Sequence, residues 1–267
     1  MKNATVLVTG AGAGIGKEIC KLFYQAGYSL VAISLEEQEL VDLAKSLQPQ
    51  SNTQTLTTWA MDLSRKNAAE RIFHRCQKSG IQVDILINNA GFGLHGEHTE
   101  LDLRRHQAML TLNIDTVSIM CQLFGQAMKA QKRGTIINIG STSAFQPLPN
   151  LAAYAASKAY VVSLSEALAN ELKPYGVDVH CVCPGTTKTA FLDSAGLAQN
   201  APFGSTAYIA HRIAMDPKSV AKVVFKTAFS SRTKTIPGFV NHLHFGLAKV
   251  LPSRVMVPLA ATLLGRQ

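Results

Sequence analysis

At 267 residues with 47% apolar content, and with no Ser/Gly/Pro-rich divider, the chain can bury one substantial core, which predicts a single domain over 1–267. Five scattered cysteines without a Cys-x-x-Cys pair argue against a disulfide framework or a zinc cluster. The apolar run Val6–Val8 is too short for a signal-peptide core, so the cytoplasm is the expected location. The net charge of +9 is concentrated late in the chain: from Arg212 onward there are nine Lys/Arg against one acid, Asp216, while earlier residues nearly balance.

The first element is the short apolar run Thr5–Val8, followed by Thr9-Gly-Ala-Gly-Ala-Gly-Ile-Gly16 and then apolar residues at helical spacing from Lys17 to Ala26. This places Gly10, Gly14, Ile15 and Gly16 on a strand-to-helix turn. There the unpaired N–H groups of a helix start can hold a pyrophosphate, and the missing side chains allow close approach. Further strand-like runs follow at Ser29–Ile33, Leu56–Ala60, Ile85–Ile87, Thr135–Ile139 and Val177–Val182, separated by helix-length segments. The alternation predicts an α/β fold, a doubly wound parallel sheet with helices on both faces, whose ligands bind at the carboxyl ends of the strands.

Candidate functional residues fall at those ends. Ser34 closes the second strand and Asp62 follows the third; Asn88-Asn89-Ala90-Gly91 follows the fourth, and Asn113 lies on a helix from Leu103. Ser141 stands just past the fifth strand, thirteen residues before Tyr154. Tyr154 and Lys158 are four apart on a helix expected to reach about Glu171, hence one turn apart on one face. A tyrosine hydroxyl titrates near about 10, and a neighbouring ammonium would favour its phenolate and bring it toward an acid/base range. The Ser141 hydroxyl can polarise a substrate oxygen. Taken singly, each has a bland reading: a half-buried ring, a solvated amine, a turn serine, a helix-interior asparagine. Thr189 and Asp62 read equally as helix N-caps.

In their common order, the glycine turn, Asn88–Gly91, Asn113, Ser141, Tyr154-Ala-Ala-Ser-Lys158 and Pro184-Gly185 with Thr189 resemble the motif set of the short-chain dehydrogenase/reductase family, over Thr5 to about Thr189. The resemblance implies a nicotinamide-dependent oxidoreductase acting on a carbonyl or alcohol, with Asn113, Ser141, Tyr154 and Lys158 as the catalytic set. Asn113 would hold a water that links Lys158 to solvent. Cofactor contacts are implied at Gly10, Gly14, Ile15, Gly16, Ser34, Asp62, Asn89, Ala90, Gly91, Tyr154, Lys158, Pro184, Gly185 and Thr189. A non-catalytic dinucleotide-sensing protein is the alternative from another class, and the intact Ser141/Tyr154/Lys158 set argues against it.

NAD binding calls for an acid at the end of the second strand, where Ser34 stands with Leu35 after it and Glu36 and Glu37 following. NADP is therefore the expected cofactor and NAD the alternative, with Lys17 the nearest basic residue. Phe92, Leu94, Phe145, Leu148, Phe191 and Leu192 are the expected pocket lining, consistent with a bulky apolar substrate, and His95 and His98 read as exposed loop residues. The segment 190–267 reads as a substrate lid and C-terminal helical extension. Its basic residues, including Arg232, Lys234, Lys249, Arg254 and Arg266, alternate with apolar ones, which fits a subunit-contact helix in a homo-oligomer or a weak membrane-surface contact. No motif points to nucleic acid.

Overall fold

A computed structural model describes residues 4–188 and 214–264. Thr189, Phe191 and Leu192 among the expected site residues, and Arg266 in the basic tail, lie outside the described residues. Seven parallel strands form one sheet in the order β3-β2-β1-β4-β5-β6-β7, with β1 Thr5–Thr9, β2 Ser29–Ser34, β3 Leu56–Ala60, β4 Ile85–Asn88, β5 Gly134–Ile139, β6 Val177–Val182 and β7 Lys234–Thr235. Connecting helices are α1 Gly14–Gln25, α2 Glu37–Ser46, α3 Ala68–Lys78, α4 Leu103–Leu110, α5 Val117–Gln131 and α6 Ala152–Leu172. After β6 come α7 Pro217–Thr227, α8 Phe239–Val250 and α9 Ser253–Leu264.

Strands in such a sheet are covered on both faces, which is why β1 and β2 read as unbroken apolar runs. Successive side chains still alternate: Val6 and Val8 pack with Ile19, Phe23 and Leu43 on one side, while Leu7 packs with Ile72, Met120 and Ile136 on the other. The sheet reverses its order between β1 and β4, and the crevice at their carboxyl ends is where a ligand of this architecture is held.

Two features go beyond the expected helical extension. α7 packs on α1, with the rings of Phe225 and Phe23 4.9 Å apart, and so completes one helical layer. β7 then pairs with β6, Cys181 opposite Lys234 and Val182 opposite Thr235, as a seventh strand. A two-residue strand carries no periodicity, so only its partner in space reveals it. Lys234 is likewise no free surface cation: its ammonium pairs with Glu166 at 2.6 Å and lies over the Phe145 and Phe245 rings.

Candidate active site

The glycine turn is built to accept an anion. Gly10 and Gly14 have φ of +64° and +52°, conformations that side chains disfavour. A Cβ on Gly10 would lie 2.9 Å from Asn89 Nδ2 and 3.0 Å from Ala90 Cα, and one on Gly16 would meet the Gly10 carbonyl oxygen. α1 begins without a side-chain cap and without an acid in its first turn. The amides of Gly14, Ile15 and Gly16 are thus left for a phosphate, and the turn fits a dinucleotide pyrophosphate.

A residue that sequence reasoning passed over locks this turn to β4. The Thr9 hydroxyl accepts hydrogen bonds from the amides of Asn89 and Ala90, each at 3.0 Å. Asn89 returns two, from Nδ2 to the carbonyls of Thr9 and Gly10, both at 3.0 Å. Beneath them Asn88 Nδ2 donates to Asn138 Oδ1 at 2.8 Å, and Asn138 Nδ2 to Ser165 Oγ at 2.9 Å. These buried amides are satisfied by one another, which fixes β4 and β5 against α6.

Tyr154 and Lys158 emerge from the first turns of α6, as their spacing predicts, and both are buried. Lys158 Nζ donates to the Ile139 carbonyl at 2.9 Å and lies 5.9 Å from the centre of the Tyr154 ring. Ser141 begins the turn after β5, where its Oγ accepts from the Ser143 amide at 3.1 Å. The Pro184 carbonyl accepts from the Thr142 amide at 2.9 Å, which ties Pro184-Gly185 at the end of β6 to the same turn. A Cβ on Gly185 would run into Asn241 of α8, so that helix closes over this end of the sheet.

The electrostatics differ from expectation. Burial pushes the Tyr154 hydroxyl up to about 12, with hydrogen bonding to Ser141 and Ser143 pulling the other way. Burial also pulls Lys158 down to about 8, against the raising influence of Cys181 and Cys183. Desolvation, invisible in residue spacing, thus outweighs the ammonium in the chain as it stands.

Asn113 also has a positioning task that residue spacing does not reveal. It lies in a single π-helical stretch, Thr111–Thr116, inserted between α4 and α5, a distortion common at functional positions. Its Oδ1 accepts from the Phe92 amide at 3.3 Å, and its Nδ2 donates to the Phe92 carbonyl at 3.0 Å and to Ser157 Oγ at 3.1 Å. With both amide donors engaged, the side chain positions the loop after Gly91.

Around Tyr154, Leu94 and Met109 form a buried cluster, with Phe92, Leu110 and Leu151 packed against it. Phe145 meets Phe245 edge to face with ring centres 4.5 Å apart, and Leu148 is half-buried in the loop between Phe145 and α6. His98 is exposed and packs on His106 at 4.9 Å. Asp62 is held by its own turn: its carboxylate accepts from the Ser64 amide at 2.9 Å, Ser64 Oγ at 2.6 Å and Arg65 Nε at 3.0 Å.

Ser34 is not free either. It is buried, and its hydroxyl donates to Glu39 Oε2 at 2.7 Å. Glu39, absent from the residues that the sequence nominates, therefore stands with Ser34 at the end of β2. Lys17, on α1, is half-buried.

A buried tyrosine and lysine one helical turn apart, beside a serine, thus share the carboxyl end of the sheet with a glycine turn that fits a pyrophosphate. Residues 4–200 match the short chain dehydrogenase family, and the chain belongs to it. It is 30% identical to an uncharacterized oxidoreductase of Staphylococcus saprophyticus, over 83% of this chain and 89% of that protein. It is also 32% identical to the probable oxidoreductase EphD of Mycobacterium tuberculosis over 73% of this chain, and spans only 33% of that protein. Among solved structures, a 7beta-hydroxysteroid dehydrogenase superposes with a TM-score of 0.84 at 25% identity, covering 97% of this chain and 96% of that one. A short-chain dehydrogenase from Sphingobium yanoikuyae in complex with NADPH superposes with a TM-score of 0.79 at 26% identity, covering 93% and 96%.

Proposed function

We propose that the protein interconverts a carbonyl and an alcohol, with Tyr154 as the acid/base, on a bulky apolar substrate. The observation that carries this reading is the joint burial of Tyr154 and Lys158 on one face of α6, next to Ser141, where β5 and β6 end. A nicotinamide dinucleotide supplies or takes the hydride when bound. The chain's own part is the proton and the oxygen. Ser141 Oγ donates to the substrate oxygen and polarises it. The Tyr154 hydroxyl gives that oxygen a proton in reduction and takes it back in oxidation. Lys158, held by the Ile139 carbonyl, places a positive charge behind the ring and lowers the cost of the phenolate once the site is filled.

The apolar substrate is supported by Phe92, Leu94, Met109, Leu110 and Leu151 around Tyr154, and by the similarity to a hydroxysteroid dehydrogenase. Turnover of a panel of bulky ketones and alcohols by wild type and Tyr154→Phe tests the reading. Activity on small polar carbonyls alone would overturn the substrate class, and undiminished turnover by the variant would overturn the role of Tyr154.

For the assembly, we favour a homo-oligomer over a membrane-surface contact. α8 presents Phe239, Val240, Leu243, Leu247 and Val250 on one arc, with Phe239 85% and Val250 80% exposed. The arc is apolar, with no Lys or Arg on it, and so suits a second copy of the chain better than anionic headgroups. Light scattering with wild type and Leu243→Glu decides it: a monomeric wild type, or flotation with anionic vesicles at low salt, would overturn the preference.

A further inference from the structure

We infer that Glu39 reads the adenosine ribose and makes the protein prefer NAD(H) to NADP(H), a step that rests on the dinucleotide-dependent reading above. Three observations carry it. First, the Ser34 hydroxyl, which the sequence offers to a phosphate, is already spent as a donor to Glu39 Oε2 at 2.7 Å. The bond orients the carboxylate at the carboxyl end of β2, where an acid that accepts from a ribose 2′-hydroxyl is needed.

Second, that carboxylate lies against the phosphate-binding turn. A Cβ on Gly12 would collide with the Glu39 carboxylate and with its Cβ, and would come within 2.7 Å of Ser34 Oγ. The Ala11 amide donates to the Ile33 carbonyl at 2.9 Å, so turn and strand end are tied together and Glu39 stands in their shared corner. Gly12 matters here for the room it leaves that side chain. Its partner oxygen, Oε1, has no protein donor among the described residues and is left to accept from a hydroxyl.

Third, the segment that leads from the end of β2 into α2 carries charge of one sign. Residues 34–44 contain Glu36, Glu37, Glu39 and Asp42 and not a single Lys or Arg. Leu35, directly after β2, is 62% exposed and offers a phosphate nothing. A 2′-phosphate placed in this corner would carry up to about two negative charges into a field of carboxylates, whereas a free hydroxyl would find an acceptor.

Calorimetric titration of the full chain with NADH and with NADPH, without substrate, tests the inference by binding alone. Wild type is expected to hold NADH about 30-fold or more tighter than NADPH. Glu39→Gln keeps an acceptor for Ser34 but drops the charge, and should shrink that ratio to about 3-fold or less, chiefly by tightening NADPH. Ser34→Ala keeps the charge and loses its anchor, so NADH should weaken while NADPH stays poor. Equal or tighter binding of NADPH by wild type, or an unchanged ratio in Glu39→Gln, would overturn the role of Glu39 and leave the oxidoreductase reading intact. If neither dinucleotide bound wild type, the dinucleotide-dependent reading itself would fall.

Discussion

The nicotinamide end and the adenosine end of the site are built from the same sheet edge, yet they were legible to very different degrees. At the first, Tyr154 and Lys158 sit on one long helix, and a four-residue spacing places them in space whatever the rest of the chain does. At the second, the decisive side chain lies beyond a strand, a two-residue bend and the start of another helix. The first turn of α2 carries Glu39 back to the strand end and into contact with Ser34, five residues earlier. Local periodicity transmits the first arrangement. The second depends on a turn geometry that residue spacing does not encode.

The largest expected effect strikes the nicotinamide end. Tyr154→Phe removes one oxygen from a packed ring and should lower turnover by about 10³-fold, within the range of a lost general acid/base. Dinucleotide affinity, set at the other end, should hold within about twofold by titration. A matching fall in affinity would mean that the two ends are not separable.

Lys158→Met should lower turnover by about 10²-fold, and it also exposes the cost of a buried ammonium. The folded chain releases this proton near pH 8 and the unfolded chain near 10.5. Between those values the unfolded state binds more protons at this group, so its contribution to stability should climb with pH by up to about 3 kcal/mol. Tyr154 works in the opposite sense: its folded value of about 12 lies above the ordinary 10, so stability falls as pH rises from 10 toward 12. Burial raises the Cys20, Cys76 and Cys121 thiols in both chains alike, so denaturant melts from pH 7 to 10 should show wild-type stability rising relative to Lys158→Met. A difference between the two that does not change with pH would deny that the ammonium is desolvated.

Burial is also what sequence reasoning lacked at several other points. It anticipates six of the seven strands along the chain, the glycine turn and the Tyr154/Lys158 face, because these follow from chain-local patterns. Spacing does not reveal that Asn113 engages both amide donors with Phe92 and Ser157. Lys234 counts by sequence among the basic residues of the tail, and pairing of β7 with β6 brings it to Glu166. Thr9 stands in the glycine motif by sequence, and only the fold makes it the clamp between β1 and β4, since its partners lie about eighty residues away.

Gly12→Ala probes the adenosine end without touching a charge. Its backbone is not in the left-handed region, so the variant should fold, but the new Cβ must displace the Glu39 side chain. NADH affinity is expected to drop about tenfold with little change for NADPH, because the acceptor moves while the negative field remains. A variant that bound NADH normally would show that the ribose corner tolerates a shifted carboxylate, and would weaken the contrast between the two ends.

Asp62 gives the smallest effect and the finest test of where the adenosine end stops. Its position after β3 suggests an adenine contact, but its carboxylate is occupied by Ser64 and Arg65. Burial works to raise this acid, yet the bonds from Ser64 and the Arg65 guanidinium prevail and hold it below its ordinary value of 3.8. Its stabilisation is therefore present above that value and is lost as pH falls through the lower folded one. The group is partly exposed and screened, so Asp62→Ala should cost about 1 kcal/mol near neutral pH, through loss of the turn bonds. That difference should shrink in acid, and affinity for either dinucleotide should stay within about twofold. A larger loss of affinity, with stability unchanged, would extend the adenosine end to β3 and make Asp62 a ligand contact in place of a turn.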